Sequence, residues 1–109
     1  LAAANKEWGD ITMQIGMRAM QNPDEVGAAA VDYMYFSGYV TLAFLWARMA
    51  LVAQEKLAEG TTEIDFYNAK VTTARFYFKK ILPRVRSHVD VIAGGVEPLL
   101  ALDAEHFAF

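Results

Sequence analysis

The residues able to do chemistry in this chain are few and spread out. Glu55, Glu59 and Glu63 recur at intervals of four, which places carboxylates along one side of a helix or around its end. Paired carboxylates can act as general acid and base, but three acids near a helix end more economically ring a solvated corner. Asp103, Glu105 and His106 bring three metal-type donors together near the end of the chain. A metal site needs fixed ligand geometry, and no long element holds this tail. His88 falls on an apolar stripe, where a histidine is ordinarily a hydrogen-bonded core or boundary residue that can respond to pH. No nucleophile elbow, phosphate loop or dinucleotide fingerprint occurs. The residues alone therefore assign no catalytic, cofactor-binding or metal-ligating position.

Charge narrows the partners. Six of the 10 basic residues, Lys70, Arg75, Lys79, Lys80, Arg84 and Arg86, lie together, with no acid between Asp65 and Asp90. Such a ridge could meet phosphates or an acidic partner. The competing account is a solvated face that balances acidic neighbouring helices, its long stems covering apolar surface. A net charge of −3 and the lack of a flat aromatic platform argue against nucleic acid. With no cysteine, disulfides and thiolate metal sites are excluded.

These residues must be positioned by helices. Leu1, Ala4, Trp8, Ile11 and Ile15 share one side of a first helix ending near Gln21. Gly9 and Gly16 weaken it or permit a close helix approach. Asn22-Pro23-Asp24-Glu25 is a start signal: a cap, a proline suited to the first turn, and acids at the positive end of the dipole. A second helix then runs to Ala58 or Glu59, where Gly60 stops it. Thr62-Glu63-Ile64-Asp65 resembles a capping box and opens a third helix that ends at Gly94-Gly95. Pro83 should kink this helix without stopping it, because the apolar seam Ile64, Tyr67, Val71, Ala74, Phe78, Ile81, Val85, His88, Ile92 keeps its phase. A tail follows, with a short helix expected over 99–104 and Phe107-Ala108-Phe109 at its end. The expected fold is all-α: an elongated antiparallel bundle of three long helices plus a C-terminal tail or short helix, one domain over 1–109.

Length and composition point beyond the chain. A second helix near 35 residues would span about 50 Å, far longer than the first, so part of helices two and three needs other cover. The longest uncharged run, Tyr33 to Ala47, is 15 residues, short of the roughly 20 a membrane span needs, so a buried bundle helix is expected and no membrane contact. The five methionines, Met13, Met17, Met20, Met34 and Met49, read as adaptable core. Asp32 and Arg48 bracket the apolar centre and would each need a cross-helix partner if buried. Phe66, Phe76 and Tyr77 lie off the seam, and a helix with two apolar faces is packed twice. The start Leu-Ala-Ala-Ala has no initiator Met or signal-like region and reads as the start of an excised or processed fragment.

The run from Phe66 through Asn68, Ala69, Lys70, Thr72, Thr73, Arg75 and Phe78, continuing through Ile81-Leu82-Pro83-Arg84, resembles the C-terminal region of long bacterial acyl-CoA dehydrogenases. So does Tyr33-Met34-Tyr35-Phe36-Ser37-Gly38-Tyr39-Val40 with Ala43-Phe44-Leu45-Trp46-Ala47-Arg48-Met49-Ala50. The resemblance covers nearly the whole chain and is to the appended helical domain of the branch that includes 3-methylmercaptopropionyl-CoA dehydrogenase. It implies the C-terminal fragment of a larger, cytoplasmic bacterial flavoprotein of fatty acid metabolism, a homo-oligomer acting on an acyl-CoA substrate. In such enzymes a glutamate removes the acyl α-proton while the β-hydride passes to FAD. Both that glutamate and the flavin-contacting Gly-Gly turn lie upstream, so no glutamate here inherits the role, and this fragment is expected to hold no FAD and be inactive alone. The implied role is to pack on the catalytic body or a second subunit through Phe66, Phe76 and Tyr77, with Arg75 and Lys79 at the edge. Two alternatives stay open: an independent helical protein-interaction module, and a small bundle holding an apolar ligand between its helices.

Overall fold

The computed structural model describes residues 1–103 and residue 106; Ala104, Glu105 and 107–109 lie outside the described residues. Every regular element among the described residues is helical: α1 Ala2–Gln21, α2 Asp24–Ala58, α3 Ile64–Phe76, α4 Val85–Ala93 and α5 Glu97–Leu100. The all-α class and the first two boundaries are as expected. The third long helix is not one element. Between α3 and α4 lie a π turn, Tyr77–Ile81, and a 3-10 turn, Leu82–Arg84. Pro83 is the physical reason. Its missing N–H and its ring cannot fit an α-helical turn, so the helix widens one turn ahead, with the Leu82 N–H donating to the Tyr77 carbonyl. The path continues without a break, and Ala74, Val85 and Ile92 are buried on either side of it. Ile64, placed first on the seam, is exposed.

The turns use simple chemistry. Asn22 Oδ1 accepts the Asp24 N–H at 3.1 Å, the capping role expected of it. The capping box does not form: Glu63 rather than Thr62 precedes α3, and it makes no side-chain cap. Thr61 Oγ1 accepts the Glu63 N–H at 3.1 Å instead, a local turn that competes with the box. Gly95 takes φ 69° just past α4, the left-handed conformation that favours glycine. Gly9 and Gly16 mark no close approach, since a Cβ at either would meet nothing within 4 Å.

The molecule measures 68 × 33 × 15 Å, with a radius of gyration of 19.6 Å, against about 13 Å for a compact chain of this size. Its shape follows from α2, against which α1, α3 and α4 all pack. The core of Ile11, Ala29, Phe36, Val40, Val85 and Ile92, bordered by Trp8, Ile15, Tyr33, Leu82 and Val89, joins α1 and α4 to the first half of α2. Further along α2 and on α3 the buried positions are Ala43, Ala53 and Ala74. A buried Phe contributes about 1.5–3 kcal/mol and an alanine methyl roughly 0.8, so stability is concentrated at the three-helix end. The tail packs at that same end: Val96, Leu99 and Leu100 line a groove with Pro23, Val26 and Gly27. The α2–α3 end is left as a two-helix hairpin.

Candidate functional site

Several titratable residues hold helices together. His88 Nδ1 of α4 lies 2.8 Å from Asp32 Oδ1 of α2, and the imidazole stacks on Tyr35 and Tyr39 at ring distances of 5.2 and 5.8 Å. Asp32 thus has the cross-helix partner its position demands, and His88 is the boundary histidine the seam implied. Arg86 makes a paired contact with Glu7 of α1 at 3.1 and 3.3 Å, so part of the basic ridge balances an acidic neighbour. Arg18 of α1 donates to the Ile92 and Ala93 carbonyls and caps the C-terminal end of α4, where a cation is favoured. Glu25 accepts the Val96 N–H at 3.1 Å. Trp8 Nε1 donates to the Tyr33 hydroxyl, which also meets Thr12 Oγ1 at 2.7 Å.

No catalytic constellation assembles from these groups. Glu55, Glu59 and Glu63 are all exposed, and Glu59 meets Lys56 at 3.7 Å, a solvated corner. No cluster of three His, Asp or Glu suited to a metal occurs among the described residues. Glu105 of the Asp103–Glu105–His106 group lies outside them. Arg48 meets no carboxylate among the described residues; it is exposed and lies over the Phe44 ring, 5.9 Å from its centroid, so it needs no buried counter-charge.

Of the five residues expected to form a packing face on the third helix, the structure sets Tyr77 apart from the other four, which are exposed. Tyr77 is buried, and its hydroxyl donates to the Tyr39 carbonyl of α2. Burial, and secondarily the nearby Tyr39 phenol, push its pKa above the ordinary tyrosine value. Arg75 and Lys79 line a groove on one flank of α3 with Ala50, Val71 and Phe78. Phe66 lines another, of about 320 Å³, with Arg48, Met49, Val52 and Lys70. Phe76 is exposed. Regular 100° increments placed Tyr77 outside the seam, but a buried stripe is wide enough to take it, and its hydroxyl has a carbonyl to reach.

A larger apolar face lies on α2. Its packed stripe runs Ala29, Tyr33, Phe36, Val40, Ala43, Ala47, Ala50, with Tyr33, Ala47 and Ala50 half-buried and the rest buried. A second stripe with the same 3–4 spacing runs Val31, Tyr35, Gly38, Leu42, Leu45, Met49, Val52 on the opposite side, with Tyr35 at its edge also stacking on His88 of α4. Apart from Gly38, these residues are 37 to 62% exposed. α2 is thus a buried helix along one seam only. It is long and apolar enough to cross a bilayer by length and composition, with 22% of its most apolar window buried. All five methionines are exposed, so they serve as surface rather than core filler.

Residues 1–103 match the family described as "Acetyl-CoA dehydrogenase C-terminal like", and the chain belongs to this family of acyl-CoA dehydrogenase C-terminal domains. It is 33% identical over 85 residues to "Broad-specificity linear acyl-CoA dehydrogenase FadE5" of Mycobacterium tuberculosis. That match covers 76% of this chain and 14% of the relative, so the chain spans a small part of the relative's length.

Proposed function

We propose that the chain is a non-catalytic, C-terminal helical domain of an FAD-dependent acyl-CoA dehydrogenase and packs against the rest of that enzyme or a neighbouring subunit. The parent reaction is α,β-dehydrogenation of an acyl-CoA thioester, carried out by groups outside this chain. The observation that carries the reading is the outer stripe of α2, apolar and exposed in a chain whose family is defined as an enzyme's terminal domain. A helix apolar on both sides belongs in the interior of something larger.

The flavin of the parent enzyme is proposed to sit outside this chain. The glycine pair ends a helix, and the space beside Gly95 is already faced by the Glu25 carboxylate and the Arg18 guanidinium. No step is therefore assigned through FAD to any residue of this chain. The ligand-bundle alternative draws little support, because the principal clefts are open surface grooves, such as the one of about 400 Å³ along Ile15, Ala29 and Tyr33.

The test compares the full-length enzyme with versions lacking residues 1–109, reading flavin absorbance, acyl-CoA-dependent dye reduction and molecular mass. The chain alone should be colourless and inactive; the full-length protein should carry flavin. Flavin-independent behaviour of the full-length protein would sink the assignment.

A further inference from the structure

The back of α2 carries a second apolar stripe, exposed along its length. We infer that the stripe Val31–Tyr35–Gly38–Leu42–Leu45–Met49–Val52 docks in cis against a helix of the same parent polypeptide, a reading that rests on the function proposed above. Four observations define the partner. First, α2 bears no charge from Tyr33 to Ala47, so the surface opposite must be aliphatic and uncharged. A charge buried there would have no counterpart.

Second, Gly38 sits in the middle of the stripe, exposed, with open space where a Cβ would point. It makes a hole into which a large side chain of the partner can insert, as knobs enter holes in paired helices. Third, the stripe runs into the cleft of Met49, Val52 and Phe66, flanked by Arg48 and Lys70. Lys70 Nζ lies 5.2 Å from the Phe66 ring centroid, and Arg48 sits over Phe44. A partner that is aliphatic along α2 and carries a carboxylate at this end matches both halves.

Fourth, the area favours a tethered partner over a free one. From Val31 to Val52 the helix is roughly 33 Å long and about 10 Å wide. Both sides together would then bury roughly 700 Å² along the stripe, short of the roughly 1,200–2,000 Å² of stable free-standing complexes. A second copy or a diffusing partner must also lose translational and rotational freedom. A partner on the same chain is held at high effective concentration and needs no such area.

The experiment places a photo-cross-linking p-benzoylphenylalanine at Leu45 in the full-length enzyme and irradiates it, with the same substitution at Glu59, away from the stripe, as control. The expected product has monomer mass, with Leu45 joined by mass spectrometry to a peptide outside residues 1–109. Gly38→Leu should cut its yield roughly tenfold by filling the hole. A dimer-mass product, a lipid adduct formed with phosphatidylcholine vesicles, or no product above the Glu59 control would each overturn the inference. Flavin in the same sample separates the two readings. A flavin-bearing enzyme without the cross-link refutes only the docking, and a monomer-mass cross-link in a flavin-free protein refutes only the dehydrogenase assignment.

Discussion

Asp32 and His88, 56 residues apart in the chain, meet at 2.8 Å where α4 crosses the first half of α2. The pair is mostly buried, with side-chain exposures of 23% and 20%, and Tyr35 and Tyr39 both stack on the imidazole. It fixes the register of α4 along α2. Asp32→Ala should cost about 1–3 kcal/mol in urea unfolding, because it leaves a part-buried ring nitrogen unpaired. The double variant Asp32→Ala, His88→Ala should lose less than the two single losses added together. Additive losses would show that the two groups do not act as a unit.

Phe36 is fully buried at the three-helix end and Phe76 is exposed on α3. Phe36→Ala should destabilise the chain by about 3–5 kcal/mol, whereas Phe76→Ala should stay within about 0.5 kcal/mol. Denaturant titration of both variants checks the contrast; equal losses would place the core elsewhere.

Tyr77 gives the chain an alkaline sensitivity. Its pKa in the folded state lies above the unfolded value near 10, so the neutral phenol is the form the fold retains. Its contribution to stability is fully present below pH about 10 and is lost as pH rises through the raised folded-state value, because the unfolded chain releases the proton first. Tyr77→Phe should cost about 0.5–1.5 kcal/mol at neutral pH through the lost bond to the Tyr39 carbonyl. It should also flatten the decline in stability above pH 10. An unchanged alkaline decline would assign it to other groups.

Arg18 and Glu25 tie the ends of α1, α2 and α4 together through the Ile92, Ala93 and Val96 backbone. Arg18→Ala should loosen this corner, costing about 1–2 kcal/mol at the helix end. Faster amide exchange at Val96 and Gly95, with the centre of α2 unaffected, is the expected signature.

Much of the architecture was legible because its signals are local. Asn22-Pro23 starts α2, Gly60 and Gly95 end helices in left-handed turns, and Pro83 marks where the third helical path must deform. The apolar side of α1 needed only its spacing. The apolar outer side of α2 was not singled out in the sequence for a physical reason. Two apolar stripes on opposite sides of α2 cancel as an amphipathic signal, so α2 read as uniformly buried and only the off-seam aromatics of α3 stood out. Tyr77 illustrates the limit of ideal increments. The π turn demanded by Pro83 begins at that residue, and its hydroxyl finds a partner 38 positions away, which no local pattern announces. Phe66 is the member of the expected face that borders the outer stripe of α2, through the cleft with Met49 and Val52.

The central claim is that the outer side of α2 is an interface and not part of the domain's own core. Leu45→Glu tests it most directly, because Leu45 is exposed here and would be covered in the parent enzyme. Unfolding of the 109-residue chain should change by no more than about 0.5 kcal/mol, the range of a surface substitution. In the full-length enzyme the same change should free this domain, seen as rapid proteolytic release and a lowered melting temperature. Leu45→Glu that unfolds the isolated chain, or leaves the full-length enzyme untouched, would contradict the account.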